Sequence, residues 1–386
     1  MRVAIGSRGS GDATLEGVRL RRLAGAARAI HVWVGVLTAV GVIVVSMTGI
    51  LLNHSTPLGW GGPGPPEVAG TGDLDAAAPI NDSLRAALLA AVDAGVLVIN
   101  DARVVVAPRG PGDIDRAVFR PATATVQVRL DDPRHTEVVV DWSTGATLLV
   151  QERRDARLDH LHSGEALGQR GVVLSDVVAV ALVILTLGGG WIWLRRLMRR
   201  RPGGAGRASS TWLAANWWFH LGAGLAVVVY TIVLSVTGVI LNHKREWGFM
   251  AEPARAVDAE IVARSEPGPL PEIVRWAVDE RVRRGDDVTA VDVRLIDYRP
   301  LAGYAKVRFT TETEVIVDAY DGEVLAVSQR RDRWIEDLHS GVRFGANGWW
   351  ISDVTAGLLI LLMLNGLYLW LRPAVAGRDR PRRDPP

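Results

Sequence analysis

The sequence predicts a membrane α-helical protein with extracytoplasmic α+β parts, in which two tandem repeats supply four transmembrane helices. Hydrophobic residues make up 48% of the 386 residues, and they are concentrated in four long blocks, which is typical of an integral membrane protein. A helix needs roughly 20 apolar residues to cross a hydrocarbon core of about 30 Å. The predicted transmembrane helices are residues 25–54, 171–194, 213–243 and 345–371.

An internal duplication is the second observation. The residues His31, Ser46, Thr48, Gly49, Asn53 and His54 recur 189 positions later as His220, Ser235, Thr237, Gly238, Asn242 and His243. A second set recurs after 177 positions, including Leu161-His162-Ser163-Gly164 as Leu338-His339-Ser340-Gly341. Each repeat is therefore a helix, a small α+β domain and a second helix. Because the copies run parallel, we expect a pseudo-twofold axis along the membrane normal.

The distribution of arginine is the third observation. Arginines cluster before the first predicted helix, after the second and after the fourth. The positive-inside rule then places a tail of residues 1–24, a basic linker of residues 195–212 and a tail of residues 372–386 in the cytoplasm. The loops 55–170 and 244–344 face outside. We expect a multi-pass protein of the bacterial inner membrane with both termini cytoplasmic and a disordered tail at residues 1–24.

The two long loops show the same order of elements. A helix precedes alternating segments that predict antiparallel strands, and a Val-Asp-x3-Gly sequence marks a turn between the last two. In the first loop these are a helix at 80–92 and strands at 103–107, 125–130, 137–141 and 146–151. In the second they are a helix at 270–284 and strands at 288–296, 305–309, 314–318 and 323–329. Each loop therefore predicts one helix-plus-sheet domain.

This combination of motifs resembles the PepSY-associated transmembrane family. The resemblance rests on the His-x3-Gly opening and Thr-Gly end of the first and third helices, the Val-Asp-x3-Gly turn, and the Leu-His-Ser-Gly sequence before the second and fourth helices. It covers about residues 25–372. It implies PepSY-like domains at 55–170 and 244–344. Relatives include inner-membrane siderophore and ferric reductases with two b-type haems, and PepSY domains elsewhere accompany or inhibit peptidases.

Six twinned histidines are the candidate haem ligands. The chain has no cysteine, which excludes thiolate ligation and covalent c-type haem. Haem b takes two axial imidazoles, which facing helices supply within a membrane. We predict two haem b groups, the inner one held by His31 and His220. The outer ligands stay open between His54 with His243 and His162 with His339, and mixed pairs are not ruled out.

Two considerations bear on those assignments. His31 and His54 are 23 residues apart, about 34 Å along a helix, which favours a deeper outer haem or residues that relay the electron. A single histidine at a membrane boundary more often reaches to the headgroups than binds a metal. The twinning of six among eight histidines argues for ligation.

Three functions are compatible with this sequence. The leading hypothesis is a haem-dependent ferric reductase-like oxidoreductase that moves electrons across the membrane to an extracytoplasmic ferric chelate, such as a ferric siderophore. No Gly-x-Gly-x-x-Gly dinucleotide motif occurs, so quinol or a separate electron-donor protein must supply the electrons. The alternative is a non-enzymatic protein that binds or regulates an extracytoplasmic partner such as a peptidase. Metal or haem transport is weaker, and no nucleic acid partner is expected because topology explains the arginines.

Overall fold

The computed structural model describes residues 10–60, 69–93, 114–132, 135–198 and 211–376. The helices are α1 (Ser10–Asn53), α2 (Ile80–Asp93), α3 (Arg154–Ser163), α4 (Gln169–Met198), α5 (Thr211–Asn242), α6 (Ala259–Arg264), α7 (Leu270–Arg283), α8 (Asp332–Ser340) and α9 (Trp349–Ala376). The strands are β1 (Ile114–Arg120), β2 (Thr125–Leu130), β3 (Thr136–Asp141), β4 (Thr147–Glu152), β5 (Val293–Arg299), β6 (Tyr304–Phe309), β7 (Thr313–Asp318) and β8 (Val324–Gln329). The chain divides into two compact units.

The helical unit comprises residues Met1–Asn53, His160–Asn242 and Glu336–Pro386. Its helices α1, α4, α5 and α9 contain segments that are long and apolar enough to cross a membrane. Helices α1 and α5 each pack against both α4 and α9. The first helices of the two repeats, α1 and α5, therefore occupy opposite corners of a four-helix bundle and face each other across its centre.

The membrane-crossing segments are Gly25–Asn53, Gln169–Arg195, Ala215–Asn242 and Trp349–Leu371, so all four predicted helices are present. The expectation of a disordered tail at residues 1–24 is corrected, because α1 already begins at Ser10. Residues 10–24 include three leucines, three arginines and two alanines, which have high helix propensity and can extend a helix already nucleated in the membrane. Residues 1–9 lie outside the described part.

The sheet unit comprises residues His54–Asp159 and His243–Ile335. Each repeat contributes four strands to a single antiparallel sheet in the order β4-β3-β2-β1-β5-β6-β7-β8. The two halves join where β1 pairs with its twin β5, and Val118 lies opposite Asp297. Since the two strands are twins across the duplication, the sheet has the twofold pseudosymmetry that the repeats predict.

The two predicted helix-plus-sheet domains, residues 55–170 and 244–344, thus contribute their strands to one continuous sheet. The first strand of each half would expose an unpaired edge, and pairing β1 with β5 satisfies both edges. Residues 160–170 and 336–344 fall in the helical unit instead. Strand β1 was not predicted, and the predicted strand at 103–107 lies outside the described residues. The helices predicted at 80–92 and 270–284 are confirmed as α2 and α7.

The core of the sheet unit lies under α2 and α7. Both helices pack on the sheet, and their buried apolar side chains, such as Ile80 and Ile273, join Phe119, Trp142 and Phe309 in one cluster. Leucine and isoleucine recur on one side of each helix because one face contacts the sheet. This core fixes the sheet without any contribution from disulfides, since the chain has no cysteine.

The Val-Asp-x3-Gly motif forms the turn between β3 and β4. The Asp141 carboxylate accepts hydrogen bonds from the backbone N–H groups of Ser143 and Thr144 at 2.9 Å, and from that of Thr71 at 2.6 Å. Gly145 has a φ of 71°, which glycine adopts without strain. Burial alone would raise the pKa of Asp141, but these hydrogen bonds lower it below its usual range.

Candidate functional site

The Leu-His-Ser-Gly motif returns the chain from the sheet unit to the bundle. Gly164 and Gly341 end α3 and α8 with a φ of 89° each, a left-handed conformation that favours glycine. A Cβ atom at either glycine would collide with the backbone carbonyl of Gly171 or Gly348. This tight turn leads directly into α4 and α9, and the histidine two residues before it belongs to the helical unit.

Two of the predicted twin pairs come together within the bundle. The rings of His31 and His220, which we call the inner pair, have centres 6.3 Å apart at an angle of 87°. The rings of His162 and His339, the outer pair, have centres 6.0 Å apart at an angle of 76°. Each pair contains one residue from each repeat. The names follow the predicted orientation of the chain.

The outer pair is held by matching hydrogen bonds. Nδ1 of His162 lies 3.0 Å from Oγ1 of Thr48 and 3.0 Å from the carbonyl oxygen of Val45. Nδ1 of His339 lies 2.8 Å from Oγ1 of Thr237. Each threonine hydroxyl donates its own proton to a carbonyl one turn earlier in its helix. It therefore accepts from the histidine, and Nδ1 is the protonated nitrogen.

This arrangement fixes the tautomer of both outer rings. A carbonyl oxygen can only accept, so Nδ1 of His162 carries a hydrogen and Nε2 carries the lone pair. Burial lowers the pKa of His339 to about 3, and neighbouring His162 adds to the effect. A neutral imidazole oriented through Nδ1–H is the form that binds a metal through Nε2.

The two histidines of the inner pair have different neighbours on the helices that face them. The carbonyl of Leu185 in α4 interacts with His31, and the side chain of Asn365 in α9 interacts with His220. Both Nδ1 atoms are buried and have no partner at hydrogen-bond geometry among the residues that the structure describes. The inner rings are therefore less firmly anchored than the outer rings.

Each of the four histidines lies against a glycine of a bundle helix. A Cβ atom would come within 3.2 Å of His31 at Gly189 and 3.7 Å of His220 at Gly366, and these glycines are twins. It would come within 3.2 Å of His162 at Gly49 and 3.4 Å of His339 at Gly238, again twins. These glycines make room for an imidazole.

The spacing of the rings fits two imidazoles on one metal ion. Imidazole nitrogen binds a transition metal at about 2.0–2.1 Å, so two rings on opposite sides of one ion have centres about 6 Å apart. Among the described residues, no group of three or more histidine, aspartate or glutamate side chains is placed to hold a metal. A pair alone suits haem iron, whose porphyrin supplies the other four ligands.

The four histidines are only partly enclosed by the protein. All four histidines keep some accessible surface, although His339 lies deep in the protein. A deep side chain with accessible surface must adjoin an opening. The outer pair therefore fits a bis-histidine haem in ring spacing and tautomer, and the inner pair fits one in ring spacing.

The third twin pair has a different setting. His54 and His243 fall in the sheet unit, directly after α1 and α5 end. The ring of His243 stacks on Trp247 with centres 5.5 Å apart, and its Nδ1 lies 3.7 Å from Glu246. Of the two outer alternatives, His162 with His339 is the one for which the structure gives a facing geometry.

Along the helix axis, the outer pair lies closer to the inner pair than His54 lies to His31. His162 contacts the Val45 carbonyl, which is 14 residues after His31 on α1, or about 21 Å along the helix axis. The same count separates His220 from Leu234, the backbone partner of His339 on α5. A deeper outer site was one of the two solutions expected for the long separation between His31 and His54.

Twinned amide–carboxylate contacts lock the repeats together near the outer pair. Nδ2 of Asn53 donates to Oδ1 of Asp353 at 2.7 Å and to Oγ of Ser352 at 3.0 Å. Nδ2 of Asn242 donates to Oδ1 of Asp176 at 2.9 Å. Each bond crosses from one repeat to the other. Both aspartates lie a full turn or more inside α9 and α4 and accept from the opposite repeat.

A duplicated four-helix bundle with membrane-length helices and a shared sheet defines a multi-pass membrane protein. The family model described as PepSY-associated TM region matches residues 28–214 and 217–384. The chain therefore belongs to this family and contains two copies of its repeat. No curated protein matches the chain at a significant level.

Proposed function

We propose that this protein is a b-type haem protein that moves electrons across the membrane to a ferric acceptor. The carrying observation is the spacing of the two cross-repeat pairs, with ring centres 6.3 Å and 6.0 Å apart. The proposal takes His31 and His220 as ligands of one haem and His162 and His339 as ligands of the other. When bound, haem supplies a one-electron Fe(III)/Fe(II) couple.

The protein contributes ligation, orientation and tuning. Thr48 and Thr237 accept from Nδ1 of the outer histidines, which raises the basicity of Nε2. The glycines let each ring lie against a helix backbone. Apolar residues of the bundle centre, including Val42, Val178 and Leu359, separate the two levels and exclude water between them.

The proposed direction follows from charge. Arginine clusters flank one end of the bundle in the sequence, which favours a cytoplasmic location for that end and for the inner pair in a bacterial inner membrane. The outer pair would then serve the external side, which the loops 55–170 and 244–344 are expected to face. A ferric chelate such as a ferric siderophore is the proposed acceptor, and this part rests on the likeness to ferric reductases.

Visible spectroscopy tests the haem. Protein expressed with added haem and purified in mild detergent is expected to show a low-spin b-type spectrum that sharpens on dithionite reduction, with two haems per chain. The acceptor is tested in the same preparation by adding a ferric hydroxamate chelate to the reduced protein. We expect reoxidation of the haem bands with release of Fe(II), which a ferrous chelator traps.

A matched control variant distinguishes the loss of a haem ligand from damage to the fold. His243→Ala removes a histidine of the sheet unit and is expected to leave two haems. A colourless wild-type preparation would contradict the proposal and favour the partner-binding alternative. A stable spectrum without reoxidation by the ferric chelate would contradict the acceptor alone.

A further inference from the structure

A pocket opens between α5 and α9 beside the inner pair. It has a volume of about 260 Å³, slightly below the roughly 300–1,000 Å³ of typical small-molecule sites. Each helix contributes three residues with the spacing i, i+4 and i+7, so the three residues of each helix share one face. The lining residues are Trp212, Asn216 and Phe219 from α5 and Leu361, Asn365 and Tyr368 from α9.

The pocket combines aromatic walls with a polar floor. Trp212, Phe219 and Tyr368 are 65%, 40% and 40% exposed, and the last two lie in segments that cross the membrane. Their exposed surface therefore faces lipid. Asn216 and Asn365 are the polar residues that lie between the helices.

A chain of amide groups links this floor to the inner pair. Nδ2 of Asn216 donates to the carbonyl oxygen of Trp212 at 2.9 Å, and Oδ1 of Asn216 accepts from Nδ2 of Asn365 at 2.8 Å. Oδ1 of Asn365 is buried and has no partner at hydrogen-bond geometry in the described part of the chain. The next residue, Gly366, lies against the ring of His220, with its Cβ position 3.7 Å from Cε1.

The duplication supplies a natural comparison. The twins of the six lining residues are Leu23, Ala27, Ile30, Ile184, Gly188 and Trp191. Both asparagines are therefore replaced by residues without a side-chain polar group, and two of the three aromatic residues are replaced by aliphatic ones. Repeat 1 keeps the histidine but lacks the amide chain and two of the three aromatic residues. A purely structural need of the inner pair would be expected in both repeats.

We propose that this pocket binds the ring of a lipid-soluble quinol, with Asn365 Oδ1 accepting a hydrogen bond from one quinol hydroxyl group. This inference rests on the proposed function, because the inner haem iron held by His31 and His220 is the oxidant. Each quinol becomes a quinone by losing two electrons and two protons. A haem held by His31 and His220 would accept the two electrons one at a time, and the two protons would be released to water.

The chemistry of the pocket distinguishes a quinol from a lipid acyl chain. An acyl chain fills apolar walls but offers no donor to a buried amide oxygen, which costs free energy when it stays without a partner. A flat ring stacks between aromatic side chains and presents a hydroxyl at its edge. It also reaches the pocket from the bilayer, into which Phe219 and Tyr368 are exposed.

Direct binding of a quinone tests this inference apart from electron transfer. The probe is a decyl-substituted benzoquinone, titrated calorimetrically into purified holoprotein in nanodiscs made from quinone-free lipid. Asn216→Ala and Asn365→Gly convert repeat 2 to the residues of repeat 1, and each is expected to weaken binding about tenfold, as the loss of a buried hydrogen bond implies. Phe219→Ala is expected to weaken it as well, whereas its twin Ile30→Ala changes nothing.

The same samples separate the two levels of the proposal. A decyl-substituted benzoquinol is expected to reduce the wild-type haem spectrum, with haem content unchanged in Asn216→Ala. If dithionite reduces two haems but the quinone does not bind, or binds equally to wild type and both asparagine variants, the inference is wrong and the proposed function stands. Binding that is sensitive to Asn365→Gly in a protein without haem would uphold the pocket and refute electron transfer.

Discussion

The two repeats can be compared position by position at the histidine pairs and at the pocket. At the pairs they agree closely: His162 with Thr48 corresponds to His339 with Thr237. His31 against Gly189 corresponds to His220 against Gly366. At the pocket they differ, because Asn365 stands where repeat 1 has Gly188. Because the histidine contacts are the same in both repeats, we infer that both repeats have the same function at the pairs.

The difference at the pocket indicates that the two repeats have different functions at these positions. Under the proposed function, one quinol site would be sufficient to supply electrons to two haems, so only one repeat would need the amide chain. The second copy can then vary freely at the twin positions. The predictions below use the twins as controls for one another, beginning with the largest expected effect.

Replacing Gly189 with leucine is expected to remove the inner haem. A Cβ atom there already approaches His31 to 3.2 Å, so a larger side chain must displace the imidazole. Gly366→Leu should act in the same way on His220, whereas alanine is better tolerated at 366, where the approach is 3.7 Å. Haem content measures the loss. Gly190→Leu is the control, because nothing lies within 4 Å of its Cβ position, and equal losses at 189 and 190 would contradict the account.

Replacing the cross-repeat asparagines is expected to destabilise the bundle. Asn53→Leu removes two hydrogen bonds, to Asp353 and Ser352, and Asn242→Leu removes one, to Asp176. We expect about 2 kcal/mol for the first and about 1 kcal/mol for the second. Unfolding in mixed micelles by SDS titration measures both. Met47→Leu, at an exposed position of α1, serves as the control, and a larger loss for Asn242→Leu would reverse the predicted order.

Replacing the outer threonines should retune the outer haem without removing it. Thr48→Val deletes one acceptor of the His162 Nδ1–H group and leaves the Val45 carbonyl, so haem affinity falls by about tenfold and the potential becomes more positive. Thr237→Val should give the same shift through His339. Redox titration measures both. Thr38→Val, whose hydroxyl bonds only within its helix turn, should change neither quantity, and a shift for only one twin would break the equivalence of the repeats.

Replacing the aspartates of the twin turns should show the smallest effect. Asp141→Asn loses acceptors for Thr71 and is expected to cost about 1 kcal/mol at neutral pH. The folded pKa of Asp141 is lowered, so this difference is present above about pH 4 and declines as the pH falls further. Asp318→Asn should cost less, because Asp318 pairs with the partly exposed Arg255. Denaturant unfolding followed by circular dichroism tests the order, and a difference that grows on acidification would contradict it.

The sequence predicted those parts of the fold that depend on local pattern. Alternation in residues 125–130 gave the bounds of β2 as the structure has them. The sequence did not predict strand β1, because Asp115 and Arg116 interrupt its apolar run. In the sheet they form an ion pair with each other, and Asp115 also meets Arg299 of β5. A single sheet depends on that long-range pairing, which no local pattern encodes.

For the candidate site, too, the sequence predicted some features and not others. Equal offsets predicted that His31 would meet His220, because twins face one another across a pseudo-twofold axis. The offsets could not choose between His54 and His162 at the outer level. That choice depends on the left-handed turn at Gly164, which returns α3 to the bundle. The contacts of Gly189 and Asn365 were also missed, although their twin relations were already present in the sequence.

Haem counting in paired variants tests the central claim most directly, namely that each haem is held by one histidine from each repeat. The account predicts two haems in wild type and one in His31→Ala, in His220→Ala and in the double variant. It predicts one in the corresponding variants of His162 and His339. A double variant that loses more haem than either single variant, or a loss of haem on replacing His54 or His243, would contradict it.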